Sequence, residues 1–291
     1  ALLPVLKFQH RDVIDTFLPL ETGFHNLAIV SSKQRFPRQA RKTALGLLGA
    51  GQMMFLKVII VVDEEHQVKD LEKLLDALHN KVNIPDDLVI LEGMVADSLA
   101  HTSPWENVHD KLIIDATTPS EGDPISRPEE SGVSESLAIS ASAIEGIVQA
   151  RMLRPSMMVV TTEVEGSPSP EETVEVTNNH LARLQREKIA AIRDSIWSLN
   201  ASRGLNWLFI TDSDADLEHE DWKRRLLWQL FCRFDVGRDL HFDETGTRVA
   251  WDATVPIPSD DGPLPVRRWP AVTLHDPEMV RRVDAWLSQR I

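Results

Sequence analysis

The stretch KVIIVVD at residues 57–63 decides the fold. It is an almost continuous apolar run that ends in an acid, which is typical of a strand buried on both faces of a parallel sheet. A second run of this kind, WLFITD, occupies residues 207–212 and leads into another acidic patch. Each run predicts the central strand of an α/β unit.

The elements around the two central runs follow the same order. A short apolar strand and a helical stretch come before each run, and a helix with one apolar stripe follows it. Both units close on the tripeptide Asp-Ala-Thr. The matched segments are 27–32 and 157–162 for the first strands, 68–80 and 221–233 for the striped helices, and 115–117 and 252–254 for the tripeptides. The order predicts an α/β fold with mainly parallel sheet layers and flanking helices, built as two related βα units by internal duplication.

Composition changes along the chain predict its division. We assign residues 1–123 to the first α/β unit and residues 156–291 to a second, divergent unit with a C-terminal arm and helix. Residues 124–155 are interpreted as a linker and a helix, because Pro, Ser, Gly and Glu dominate 118–136 and alanines favour a helix over 138–153.

Composition also excludes several classes of protein. The 291 residues carry 31 Lys and Arg against 45 Asp and Glu, a net charge of -14, and contain one Cys. This charge disfavours binding to nucleic acid or to an anionic membrane. A single Cys excludes a disulfide framework and fits a reducing compartment, so we expect a cytoplasmic protein. No apolar run reaches membrane-spanning length. The missing initiator Met fits either a processed start or a piece of a longer polypeptide.

Few residues suggest chemistry on their own. Gly-rich phosphate loops and a Gly-x-Ser-x-Gly elbow are absent from the sequence. Cys232 lies on the apolar side of a predicted helix and is interpreted as a packing thiol. The acids of 212–216 begin like a calcium loop, but Leu217 and Lys223 stand where that loop requires Gly and Glu.

Two features keep open alternatives. His101 lies in a loop beyond a predicted strand, where it either faces a substrate or an interface or packs locally within the loop. The basic residues of 35–42 form either a solvated face or a contact for an anion or a partner.

Five short motifs follow one another between residues 8 and 117. They are D-x-x-LPLE-x-GFHN (15–26), FPRQARK (36–42), GAGQMMF-x-KVIIVVD (49–63), D-x-L-x-H-x-SP (97–104) and K-x-x-x-DAT (111–117). This series resembles the C-terminal domain of UbiD-family decarboxylases. The second half resembles the end of that domain through DAT (252–254) and RRWP (267–270), and more loosely through D-x-x-RD (235–239).

The resemblance implies reversible, non-oxidative decarboxylation of an aromatic or α,β-unsaturated acid. The family uses prenylated FMN with a divalent metal and K+, and its best-known members act in ubiquinone biosynthesis. Its cofactors and catalytic residues belong to a flavin domain that precedes the part seen here, and none of that domain's motifs occurs in this sequence. We therefore predict no catalytic, cofactor-binding or metal-binding residue in this chain. The implied partner is the flavin-binding domain of the same enzyme or of a split subunit.

The resemblance also implies a supporting role for these residues. In the family this domain closes over the active site and mediates oligomer contacts, so a homo-oligomer is expected. Closure of such a domain excludes water from the reaction. By position, the candidate substrate-facing residues are Met94, Val95, Leu99 and His101, with Gln39 as a weaker candidate. An apolar rim of this kind suits an aromatic or prenyl substrate.

Two other functions remain open at this stage. The chain could be a non-catalytic assembly or interaction subunit on the same scaffold. It could also hold a small-molecule site of its own at a strand switch point, although the missing Gly-rich loop counts against a nucleotide there.

Overall fold

A computed structural model describes residues 3–124, 133, 136–163, 177–268 and 276–288. The first half contains α1 (Leu3–Gln9), β1 (Val13–Phe17), β2 (Leu27–Ser32), α2 (Gln39–Leu48), β3 (Val58–Asp63), α3 (Leu71–Lys81), α4 (Ile84–Asp87), β4 (Leu88–Val95) and β5 (Val108–Ala116). The second half contains α5 (Ser136–Ser142), β6 (Ile147–Arg154), β7 (Met157–Thr162), α6 (Asn179–Ser198), β8 (Trp207–Asp212), α7 (Trp222–Cys232), α8 (Val236–Asp239), β9 (Leu240–Phe242), β10 (Val249–Ala253) and α9 (Pro277–Ser288).

The strands form two five-stranded sheets with the same order. The first sheet runs β1-β2-β3-β5-β4 and the second runs β6-β7-β8-β10-β9. In each sheet the three inner strands are parallel, while both edge strands pair antiparallel to their neighbours. The predicted α/β fold with two related units is confirmed. The sheets are mixed, however, so the expectation of mainly parallel layers holds only for their centres.

The polar skeleton of the two units also repeats. In each Asp-Ala-Thr tripeptide, Oδ1 of the Asp accepts bonds from the amide and the hydroxyl of the Thr. The acid that ends each central strand accepts the amide of the next residue after the tripeptide. Those bonds are Thr118 N to Asp63 Oδ1 at 2.9 Å and Val255 N to Asp212 Oδ2 at 2.7 Å. Matching bonds at matching positions support duplication more directly than residue identity does.

The two sheets share one apolar core. The α2 helix covers the outer face of the first sheet, and α5 and α6 cover the outer face of the second. The inner faces of both sheets pack on α3 and α7, which lie between them in one continuous cluster. Trp251 anchors this cluster, with the ring of Phe234 stacked on it at 3.9 Å. The two units therefore form one folded body through burial of apolar surface.

The segment 124–155 differs from its prediction. A helix occupies only its middle, as α5, and β6 then pairs with β7 as an edge strand of the second sheet. The helix ends at Ser142, and Gly146, with φ +89°, lies in the turn that leads into β6. The helix predicted over 138–153 is therefore wrong after residue 142. Residues 166–172, whose two prolines predict a loop, lie outside the described residues.

The helices α6 and α9 differ in how they are held. At the start of α6, Asn178 is the N-cap, and its Oδ1 accepts the amide of Leu181 at 3.0 Å. Every side chain of α9 is exposed, including its apolar stripe. Among the described helices, none combines the length and the apolar character that a bilayer crossing requires.

Candidate functional site

The edge at the amino ends of β2 and β3 brings together the residues that the motifs single out. His25 precedes β2, and its Nδ1 contacts the carboxylate of Asp97 from the segment after β4. The rings of Phe24 and Phe55 lie 4.9 and 5.7 Å from the imidazole, measured between centroids. Burial raises the pKa of Asp97, but the Leu99 amide and His25 outweigh it and hold that pKa below its usual value.

The loop 96–105 is held by hydrogen bonds from two arginines of the second unit. Arg238 donates to the carbonyl oxygen of Thr102 at 3.0 Å. Arg267, from the C-terminal arm, donates to the carbonyl oxygens of Ser103 at 2.9 Å and Ala100 at 3.1 Å. Because backbone carbonyls take these bonds, the second unit sets the path of the loop whatever side chains the loop carries. We call residues 96–105 the clamped loop.

Lys57 is the central link between the units. Its ammonium is fully buried and donates to Phe231 O at 2.8 Å, Phe234 O at 2.6 Å and Thr102 Oγ1 at 3.1 Å. Burial lowers the pKa of Lys57 to about 8, although the nearby carboxylate of Asp235 opposes this change. A lysine just before the central strand thus ties the clamped loop to the end of α7.

A second buried lysine supports the same edge. Lys111 donates to the carbonyl oxygens of Met54 at 2.8 Å and Leu56 at 2.5 Å, and it lies 3.1 Å from His109 Nε2. Burial lowers the pKa of Lys111 to about 7. Burial and the adjacent Lys111 lower the pKa of His109, so its imidazole is neutral at physiological pH.

The structure brings four of the five predicted substrate-facing residues to this edge. Met94 and His101 are half-buried, while Val95 and Leu99 are exposed, Leu99 to 77% of its surface. Burial and the nearby Arg267 lower the pKa of His101. Gln39 does not join them. It is buried at the start of α2, beyond the carboxyl end of β2, and its Oε1 accepts the amide of Arg35 at 2.7 Å.

One premise behind His101 is wrong. The sequence argument placed its loop beyond the carboxyl end of a parallel strand, but β4 runs antiparallel to β5. The loop therefore lies at the amino ends of the parallel strands, opposite to the edge where open α/β sheets usually bind ligands. Any function of this surface therefore depends on another molecule that packs against it.

Several other sequence features have internal partners. Arg38 pairs with Asp87 at 3.5 Å and with Asp123 at 3.2 Å, which gives this member of the basic cluster intramolecular contacts. Two of the acids of 212–216 form ion pairs with Arg233, Asp212 at 2.8 Å and Asp214 at 2.9 Å. Burial raises the pKa of Cys232, as expected for a packing thiol.

Sequence reasoning missed the residues that hold the clamped loop. Lys57, Arg238 and Arg267 all lie within the quoted motifs, yet none was assigned a role, because their partners are distant in sequence. The pairing of His25 with Asp97 was missed for the same reason. The available signal was the position of these polar residues beside apolar strands.

The described residues offer few groups that could hold a metal ion or a flavin. Within them, no group of three His, Cys, Asp or Glu side chains is placed to hold a metal ion. Two cavities, of about 110 and 230 Å³, are smaller than the roughly 300–1,000 Å³ of typical ligand pockets. A wider groove of about 590 Å³ is lined by three acids, Glu21, Asp214 and Asp221, and by two arginines, Arg224 and Arg225. Because the acids outnumber the arginines, this lining does not fit the phosphate of prenylated FMN.

Comparison with known proteins identifies the first unit. Residues 1–116 match the family model described as the 3-octaprenyl-4-hydroxybenzoate carboxy-lyase C-terminal domain. An uncharacterized protein of Archaeoglobus fulgidus is 40% identical over 115 residues, and one of Aquifex aeolicus is 42% identical over 116 residues. Each match covers 40% of this chain and 24% of the relative. The chain thus spans about a quarter of the length of these relatives.

A solved structure gives a similar match. Vanillic acid decarboxylase of Sedimentibacter hydroxybenzoicus, in its open form, is 31% identical, with a TM-score of 0.41. The match covers 44% of this chain and 27% of that chain. By the match to the family model, residues 1–116 resemble a UbiD C-terminal domain, and a second unit of the same topology follows them in this chain.

Proposed function

We propose that this chain is the C-terminal α/β part of a UbiD-type, prenylated-FMN-dependent decarboxylase. The proposed substrate is an aromatic or α,β-unsaturated acid, with quinone biosynthesis as a candidate pathway and the cytoplasm as the compartment. The flavin, the metal and the catalytic residues belong to a flavin domain outside this chain. The match of residues 1–116 to the family's C-terminal domain carries the proposal.

The surface that meets the flavin domain is the edge formed by the clamped loop and residues 24–26. Support comes from its exposed apolar side chains, Phe24, Val95 and Leu99, which lie on a rigid base instead of a free loop. Exposed apolar groups beside polar ones are typical of surfaces that bind another protein or a ligand. Closure of this edge over the substrate excludes water from the reacting groups.

The test is reconstitution in trans. The probe is the part of the Aquifex aeolicus relative that lies outside the 116 matched residues, loaded with prenylated FMN. We expect the full chain to bind this protein and to raise its decarboxylation of a panel of hydroxybenzoic acids. The chain alone is expected to bind no flavin and to release no CO2. An active, flavin-bound preparation of the chain alone would overturn our location of catalysis.

A matched pair of variants tests the proposed surface. Leu99→Asp places a charge on the clamped loop and is expected to weaken binding of the flavin protein at least tenfold. Ile139→Asp is the control, because Ile139 is equally exposed, at 76% against 77% for Leu99, but lies in the second unit. Both variants should keep the parent melting temperature. Equal losses of binding would show that the edge is not the contact surface.

A second function is supported by α9. Its exposed stripe of Met279, Val283 and Trp286 favours a non-catalytic assembly or interaction subunit that forms a homo-oligomer. Sizing the chain with and without the flavin protein separates the two proposals. A stable self-oligomer that ignores the flavin protein would favour the assembly role.

A further inference from the structure

A cavity of about 230 Å³ lies inside the second unit. Its walls are α6, the end of β10 with the adjoining α8 and β9, and the arm of residues 256–266. Its lining carries two carboxylates and three guanidinium groups beside neutral polar side chains. These residues are Asp239, Asp252, Arg186, Arg193, Arg238, Gln185, His241 and Thr254. At about 30 Å³ for each water, it has room for roughly seven waters or a small organic molecule.

Asp252 is the carboxylate on the cavity wall. It lies two residues from Ala250, which packs in the outer core, so both face α6. Its Oδ1 accepts the Thr254 amide at 3.0 Å and the Thr254 hydroxyl at 2.7 Å. No hydrogen bond to Oδ2 is found within the described part of the chain. Burial raises the pKa of Asp252 to about 7, and the carboxylates of Asp239 and Asp212 add to the effect.

Each of the three arginines that line the cavity already has a carboxylate partner. Arg238 pairs with Asp239 at 2.7 Å, Arg193 with Asp194 at 2.8 Å, and Arg186 with Asp261 at 3.6 Å. His241 also lines the cavity, and burial lowers its pKa, so the ring is neutral at physiological pH. Asp252 is thus the carboxylate of this wall that lacks a cation of its own.

In the first unit, an arginine of the chain itself lies beside the corresponding carboxylates. By strand register Asp115 corresponds to Asp252, and Asp87 corresponds to Asp239. There the guanidinium of Arg38 lies 3.5 Å from Asp87 and 3.2 Å from Asp123, and donates to Asp86 O at 3.1 Å. Arg38 therefore bridges the start of α2, α4 and the segment after β5. These three elements correspond to the walls of the cavity in the second unit.

The charge of Arg38 and of its neighbour Arg41 also acts on Asp115. Both guanidinium groups oppose the effect of burial on the pKa of that carboxyl. In the second unit Arg186 joins α6 to the arm through Asp261, but within the described residues no arginine contacts all three elements. One unit thus holds the three elements together with one guanidinium, and the other leaves a cavity beside Asp252.

We propose that the cavity beside Asp252 binds a small molecule that carries a guanidinium or primary ammonium group. The cation of the ligand takes the place that Arg38 takes in the first unit and pairs with the free oxygen of Asp252. Its apolar part lies against Ile189, Ile257 and Leu264, which complete the lining. A charge-assisted bond in a partly enclosed site favours a cation over a neutral molecule of the same shape.

The experiment is a calorimetric titration of the full chain at pH 8 with agmatine and methylguanidinium. Urea and acetate serve as the neutral and anionic probes. We expect saturable binding of one cation per chain and no heat of binding from urea or acetate. Equal binding of urea, or binding of acetate alone, would overturn the assignment of a cationic ligand.

Variants locate the site. Asp252→Asn is expected to weaken binding of agmatine at least tenfold. Asp115→Asn, at the corresponding position of the first unit, should leave the affinity within twofold. Ala190→Leu, which fills part of the cavity without changing its charge, should also weaken binding at least tenfold and covers the case in which Asp252→Asn does not fold. Unchanged affinity in a folded Asp252→Asn or Ala190→Leu protein would refute the proposed location, and so would the absence of cation binding to the parent chain.

Discussion

Replacing Lys57 by Met removes the charge that joins the two units, and its effect on stability depends on pH. The folded-state pKa of Lys57 is lowered from 10.5 to about 8. Between these values the unfolded chain binds more protons at this side chain than the folded chain does. Stability contributed by Lys57 therefore rises with pH between about 8 and 10.5, and it is lost as the pH falls from 10.5 towards 8.

The magnitude follows from the same two pKa values. Each unit of separation corresponds to about 1.4 kcal/mol, so the complete effect is about 3.4 kcal/mol. Between pH 7 and pH 9.5 about 2 kcal/mol of it is gained. The parent and Lys57→Met proteins share their other titrating groups, including Lys111. The difference between their unfolding free energies should therefore change by about 2 kcal/mol in favour of the parent over this range.

The assay is urea denaturation of both proteins at pH 7, 8, 9 and 9.5, followed by circular dichroism. Lys57→Leu provides a second apolar replacement and should give the same curve. At pH 7 Lys57→Met leaves the carbonyl oxygens of Phe231 and Phe234 without their donor, which is destabilising by itself. The reasoning fails if the free-energy difference between the two proteins stays constant across the four pH values.

Two further predictions concern the clamped loop and the core. Arg267→Ala removes two donors to the loop, so amide hydrogen exchange at residues 100–103 should become at least tenfold faster. The control, Arg268→Ala, should leave this exchange unchanged. Unaltered exchange in both variants would mean that the arm does not hold the loop. Phe234→Ala empties a fully buried site stacked on the central tryptophan and should lower the unfolding free energy by about 3–5 kcal/mol, measured with urea. Phe8→Ala is its control, since Phe8 is 85% exposed, and equal losses in the two variants would contradict the assigned core.

The centre of the fold could be predicted because burial leaves a signature in sequence. The runs at 57–63 and 207–212 are apolar on both faces, and they form the middle strands of the two sheets. The edge strands could not be oriented in this way. Parallel and antiparallel pairing place the same alternation of side chains on a strand, so the direction of β4 was not encoded in its apolar pattern.

The error over 138–153 has a similar origin. Alanines favour a helix locally, but residues 147–154 gain more by pairing with β7 as an edge strand of the sheet. The position of Gln39 away from the other candidates was not predictable from its motif, because a motif carries no information about which end of a strand a residue follows. Neither outcome could be read from a window of a few residues.

The candidate site was predictable only in part. The clamped loop was located by its motif and its apolar residues. The contacts that fix it join residues more than 130 positions apart, such as Arg238 with Thr102 and Arg267 with Ala100. A single sequence does not record pairs of this kind, and Lys57 in particular looks like an ordinary polar residue before a strand.

The partner of Lys57 under the internal repeat is Asn206, since both residues precede a central strand and make the same backbone bonds there. In a dimer of two identical chains related by a twofold axis, both copies would carry the same residue here, so this ammonium would be buried twice or not at all. Two units fused in one chain can carry different residues at the equivalent positions. Each half can mutate independently. One copy can therefore acquire a buried lysine that binds the other copy, while the other copy can acquire a cavity of its own.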